Sequence, residues 1–275
     1  LRDPMLERLA KCSRASDEAN VCRNLHRLLK HPDFTLQVQI DNATVDITHP
    51  RSRKHTVVPW PVIKLSSWLR YIVEEQGGQL LLGGHHVSQT GLWKQMLREF
   101  WARYRGIDPN HPIYHSNIDP ATAIPFMVHG DDGRGRNHQP VLVISFQALL
   151  SHMGPGRLNQ SGHSFCSRLL FSILPSLCYR GDSTIFQLLS CLADDCISLF
   201  QDGLVTNGAT TERIHMAWLG CKGDWVWLRK AFCLETGFSS RRVCHMCDQQ
   251  AGYPYSLTFL IFFSKYIYIY TRNSL

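Results

Sequence analysis

Between residues 122 and 234 the apolar pattern runs through strand-like stretches, then a helical period, then a strand, then a helical period again. Ile124–His129, Val141–Phe146 (VLVISF) and Leu169–Leu174 (LLFSIL) are short apolar runs separated by glycine-rich or polar turns, which is how buried strands read. Ser183 and Thr184 then offer a helix N-cap, and Ile185, Leu189, Leu192, Cys196 and Leu199 recur at helical spacing until Asp202 and Gly203 close the helix. Ile214, Met216 and Trp218 alternate into a fourth strand that ends on the stretch Gly220 to Asp224, after which Trp225–Leu234 reads as a helix. The order strand, strand, strand, helix, strand, helix places this half of the chain in the α/β class.

The first half is less regular. Leu6, Leu9, Val21, Leu25, Leu28 and Leu29 suit a pair of short helices, and Phe34, Leu36, Val38 and Ile40 alternate with polar residues as a half-buried strand does. A basic loop from His49 to His55 follows. Leu65, Leu69 and Ile72 predict a helix stopped by Gly77 and Gly78. Trp93, Leu97, Phe100 and Tyr104 line one face of a second helix, with Lys94, Arg98 and Arg105 on the other, a basic face suited either to solvent or to DNA. Residues 106–121 are proline-containing and aperiodic. The expected division is therefore a mainly helical region at 1–105, a linker at 106–121, an α/β domain at 122–250 and a tail at 251–275.

Composition excludes an intrinsically disordered chain, because 44% of the 275 residues are hydrophobic and only 19% are charged. The net charge of +7 is spread along the chain, which permits a polyanion partner without demanding one. The opening at Leu1, with no basic-then-apolar leader, reads as a fragment. Tyr255–Leu275 is strand-prone and reads as a non-native tail, since Lys265 interrupts its apolar run well short of the roughly 20 residues of a membrane span. Ten irregularly spaced cysteines fit reduced thiols in nucleus or cytoplasm better than a disulfide framework.

Two carboxylate positions stand out. Asp131 and Asp132 follow the first strand of the α/β half, Asp224 follows the fourth, and each site adjoins glycine. If those strands are neighbours, the acids meet at one sheet edge, where hard oxygen ligands suit a divalent cation for phosphoryl transfer. The plainer reading is Asp-Gly turn chemistry. Arg134 and Arg136 stand beside the acids, either touching DNA phosphates or solvating a turn. Cys244-His245-Met246-Cys247 is half of a zinc site, with Cys221, Cys233, His215 and His245 available to complete it, or else a pair of free thiols.

The succession PFMVHGDDG, VLVISF, LLFSILP, TIFQLLSCLADDCISLFQDGL, IHMAWLGCKGDW and then Cys-x-x-Cys resembles the catalytic domain of DDE transposases of the CACTA and Plavaka type over roughly residues 122–250. The chain is also similar in style to large protein families of dinoflagellate genomes that carry the same HGDD and KGDW words. The resemblance implies a ribonuclease H-like mixed sheet with flanking helices and a metal-dependent DNA cleavage and strand-transfer ancestry. It implies Asp132 as the first acid, with Asp131 as fallback, and Asp224 as the second, together holding Mg²⁺. A structural Zn²⁺ would sit at Cys244 and Cys247, and DNA would be contacted by Arg134, Arg136, Lys94, Arg98 and Arg105. The third acid, a glutamate on a later helix, has no counterpart here: Glu235 follows Asp224 too closely, and no Asp or Glu lies beyond Asp248. The expectation is a chain without cleavage activity that binds DNA weakly, or a DNA- or protein-binding module that keeps the fold.

Overall fold

The computed structural model describes residues 3–12, 20–134, 139–154 and 167–232. The chain divides into two compact units, 1–38 and 39–275, so the break falls well before the expected linker. Within the first unit, α1 (Pro4–Lys11) is capped by Asp3, whose carboxylate accepts the Met5 N–H, and α2 spans Val21–Leu28. Arg8 joins α1 to the turn at Pro32–Phe34, pairing with Asp33 at 2.5 Å and lying over the Phe34 ring.

The strand expected over residues 34–40 does not form. Among the described residues its alternation has no partner strand, and Leu36 and Ile40 are left about three-fifths exposed, at 59% and 64%. The pairing occurs just downstream instead, where β1 (Asp41–Thr48) and β2 (His55–Val62) make an antiparallel hairpin around the basic loop. The region expected to be mainly helical therefore holds a two-stranded sheet. Inward-facing Val45 and Ile47 make β1 the better strand, since branched side chains pack on a pleated surface.

The second sheet has the order β5-β4-β3-β6, built from β3 (Ala123–Arg134), β4 (Pro140–Ala148), β5 (Arg168–Pro175) and β6 (His215–Gly223). β3, β4 and β5 form an antiparallel meander, and β6 runs parallel to β3 after a crossover through α5 (Ser183–Gln201). The sheet is thus mixed and the fold is α/β. α5 is long and apolar enough to cross a membrane by composition, but its apolar stripe of Ile185, Leu188, Leu192, Cys196 and Leu199 is core.

Both edges of this sheet are covered. Pro59 and Pro61 deprive β2 of N–H groups on the side of β5, so the hairpin does not extend the ladder. Instead the Trp60 and Trp68 indoles donate to the Ile173 and Leu170 carbonyls, the Ile63 N–H donates to the Phe171 carbonyl, and the Ser172 hydroxyl donates to the Pro61 carbonyl. The N-terminus of α3 (Leu65–Glu74) is held by a distant residue. Lys64 supplies no side-chain cap, and Asp195 of α5 accepts the Ser66 N–H at 3.1 Å and the Ser66 hydroxyl at 2.5 Å.

At the β6 edge the segment after α4 (Thr90–Tyr104) does the covering. His111 is 2% exposed; its Nδ1 accepts the Ile113 N–H, which leaves Nε2–H to donate to the Trp218 carbonyl at 3.2 Å. The expected linker is therefore a packed strap. Both nitrogens are committed to the neutral ring, and burial pushes the His111 pKa below the ordinary 6.5. The unfolded chain then binds a proton that the fold does not. Stability is expected to fall as pH drops below about 6.5, by at most about 1.4 kcal/mol per pH unit for this group. Urea unfolding at about pH 7.5 and about pH 5.5 measures it, and H111Q is expected to flatten the difference.

Candidate functional site at the end of the mixed sheet

Parallel pairing of β3 with β6 sets Gly130 opposite Gly223, so Asp131 and Asp132 on one strand and Asp224 after the other leave the sheet at the same end. β3 itself runs on to Arg134, pairing Asp131 with Val143 and Asp132 with Leu142 of β4. The first acids are thus strand residues. The turn reading for them is replaced by a longer strand, stabilised by the partner that β4 supplies.

The short helix α6 (Trp225–Ala231) seals this end through residues spaced by three. Asp224 is its N-cap, accepting the Trp227 N–H through Oδ1 at 2.7 Å. Trp227, one turn on, is 2% exposed, and its indole fills the space above Gly130 and Gly223, where a Cβ on either glycine would enter the ring. Gly223 also has φ near +153°, and a Cβ there would strike the Gly130 carbonyl. The glycine in each of the HGDD and KGDW words is therefore explained by one tryptophan.

Lys230 lies a further turn along. Its ammonium is 3.4 Å from Asp132 Oδ2 and lies over the Tyr179 ring, while the Tyr179 hydroxyl donates to Asp132 Oδ1 at 3.3 Å. Burial and the adjacent Asp132 carboxylate raise the Tyr179 pKa, keeping the phenol a donor. Asp132 thus has an ammonium on one oxygen and a phenol on the other.

That arrangement fits a divalent cation poorly. Asp132 is ion-paired, one oxygen of Asp224 caps a helix, and no group of three or more His, Cys, Asp or Glu side chains gathers for a metal among the described residues. Asp195, a carboxylate on α5, is engaged at α3. Glu235, Arg136, Cys233, Cys244, His245 and Cys247 lie outside the described residues, as does the tail at 251–275.

Of the alternative zinc ligands, Cys221 is buried against Cys196, and burial raises both thiols above their ordinary pKa, which opposes the thiolate a metal needs. His215 Nδ1 is hydrogen-bonded to the Phe200 carbonyl at 2.9 Å. Six cysteines are free thiols among the described residues.

The basic face expected on α4 is only partly available. Lys94 pairs with Glu212 at 3.0 Å and Asp119 at 3.6 Å, fastening the helix to the segments that lead into β6 and β3. Arg105 stacks on the Tyr114 ring, and Arg98 is exposed. Arg134 closes β3. Lys94 is therefore an ion-pair partner within the fold, its charge partly neutralised by Glu212 and Asp119.

Sequence reasoning does not single out Tyr179, Trp227 or Lys230. The spacing of Asp224, Trp227 and Lys230 on one helical face carries a signal, but the link to Asp132 is tertiary. Comparison with family models, curated proteins and solved structures finds no match to this chain.

Proposed function

We propose that residues 39–232 form a ribonuclease H-like, transposase-derived domain that binds nucleic acid and has exchanged metal-dependent cleavage for an internal ion pair. The observation that carries the reading is the parallel register of β3 and β6, which brings Asp131, Asp132 and Asp224 to one end of a sheet of order β5-β4-β3-β6. Support for the ancestry comes from the antiparallel meander, the single helical crossover and the acids at the mouth of adjacent parallel strands.

The Lys230 ammonium favours binding over catalysis. Phosphoryl transfer needs cations held in fixed geometry by several carboxylates, and misplacement by about 1 Å costs on the order of a hundredfold. Here Asp132 already has a cationic partner, and its geometry serves the docking of α6. Phosphate binding asks only for accessible positive charge, which the net +7 supplies.

The full chain is therefore expected to bind duplex DNA with a dissociation constant of about 1–100 µM near physiological salt. Affinity should fall steeply as salt rises, with little sequence preference. Fluorescence anisotropy across a salt series reads this directly. Absence of binding at low salt, or binding that ignores salt, contradicts the reading.

A further inference from the structure

On the central sheet, basic residues from three strands share one face, and one of them reaches a glutamine of the fourth strand. Arg168 opens β5 and pairs with Gln147 of β4, which pairs in turn with Met127 of β3. His129 is two residues further along β3 and lies opposite Lys222 of β6. Alternation along the strand places His129 on the opposite face from Gly130, and so away from Trp227 and α6. Lys222 reaches across β3, and its ammonium donates to Gln147 Oε1.

The charges gathered here do not cancel. Neither Arg168 nor Lys222 has a carboxylate ion-pair partner among the described residues. Partial burial and the nearby Arg168 guanidinium lower the Lys222 pKa. Burial, Arg168 and Lys222 lower the His129 pKa, and the one opposing influence on His129 is Asp131. Burial and like-charge repulsion both oppose gathering these cations on one face. An anion relieves both costs.

We propose that Arg168, Lys222 and His129 form a phosphate-binding site on the sheet face opposite α6, and that it takes a backbone phosphodiester of a nucleic-acid strand. The ligand assignment rests on the nucleic-acid-binding reading above. The guanidinium fork and the ammonium neutralise the phosphate oxygens, and the His129 ring supplies an N–H donor beside them. Arg168 is exposed and Lys222 half-buried, so the group is reachable from solvent.

The test uses the full chain, a labelled DNA oligonucleotide and, separately, inorganic phosphate. K222Q and R168Q are each expected to weaken DNA binding several-fold at about 50 mM salt and to reduce the salt slope by about one. K222R should retain most of the affinity, and R70Q, a surface change on α3, should leave it unchanged. Thermal melts check that the variants fold; Arg168 is exposed at a strand start, so R168Q keeps the test valid if K222Q does not fold.

In parallel, NMR titration with phosphate is expected to shift the His129 ring resonances in the wild type and to leave them in place in R168Q. DNA binding that is indifferent to both variants, with His129 unmoved by phosphate, overturns the site while leaving the nucleic-acid reading intact. Phosphate binding that depends on Arg168 without any DNA binding upholds the site, makes free phosphate its ligand and ends the nucleic-acid reading. Failure of both ligands overturns both.

Discussion

Gly130→Val is expected to cost about 3 kcal/mol or more of stability, the upper range for overpacking a close-packed site. The reason is local: no space exists at Gly130 for a Cβ, because the indole of Trp227 occupies it, and the backbone of β3 is fixed on both sides by β4 and β6. Strain therefore falls on Trp227, and α6 must lift from the sheet, carrying Lys230 away from Asp132. Combining G130V with W227A should cost markedly less than the sum of the two single changes, since contacting residues are not additive. Urea unfolding measures all three. A G130V protein as stable as wild type, or strict additivity, would show that the ring does not plug the strand ends.

Trp101→Ala is expected to cost about 3–5 kcal/mol, the range for deleting a large buried aromatic. Trp101 is 1% exposed, donates its indole N–H to the Ala123 carbonyl at 2.8 Å where β3 begins, and packs edge-on against Phe100, Tyr104 and Tyr114. Partial burial pushes the Tyr104 and Tyr114 phenols of this cluster up to about 12. Losing the indole opens a cavity and loosens the strap at His111, which packs on the same ring. Thermal unfolding checks this, with a drop in Tm of roughly 6–20 °C expected for a domain of this size. A shift of only a few degrees would mean that the strap is fastened elsewhere.

What the residues announce in advance is local. Each strand from β3 to β6 and the helices α3, α4 and α5 come from period and turn chemistry, signals carried by near neighbours in the chain. The strand misplaced at 34–40 shows the limit: alternation marks a surface that is able to pair, and the partner decides whether it does. The α4 face shows a milder version. Periodicity puts Phe100 and Tyr104 on its buried stripe with Trp93 and Leu97, but Trp101 is the residue fully enclosed, because the strand start above it needs a donor for the Ala123 carbonyl.

The acids show the same division more sharply. Their placement at one sheet end follows from element order, whereas their partners do not. Tyr179 reaches Asp132 from the approach to α5 and Lys230 reaches it from α6, and only the folded sheet makes them neighbours. Lys94 reads as a free cation for the converse reason, since Asp119 and Glu212 lie far from it in the chain. The trio of Arg168, His129 and Lys222 is invisible in the sequence because each residue belongs to a different strand.

The proposed function stands or falls on whether the carboxylate end of this sheet is an internal ion pair or a working metal centre. The most direct test is nicking of supercoiled plasmid by the purified full chain in Mg²⁺ and in Mn²⁺, with D132N and D224N alongside. No nicking above the background of the two variants is predicted in either metal, under conditions where anisotropy shows DNA bound. Metal-dependent nicking that disappears in both D132N and D224N would contradict the ion-pair reading and make these carboxylates a catalytic pair.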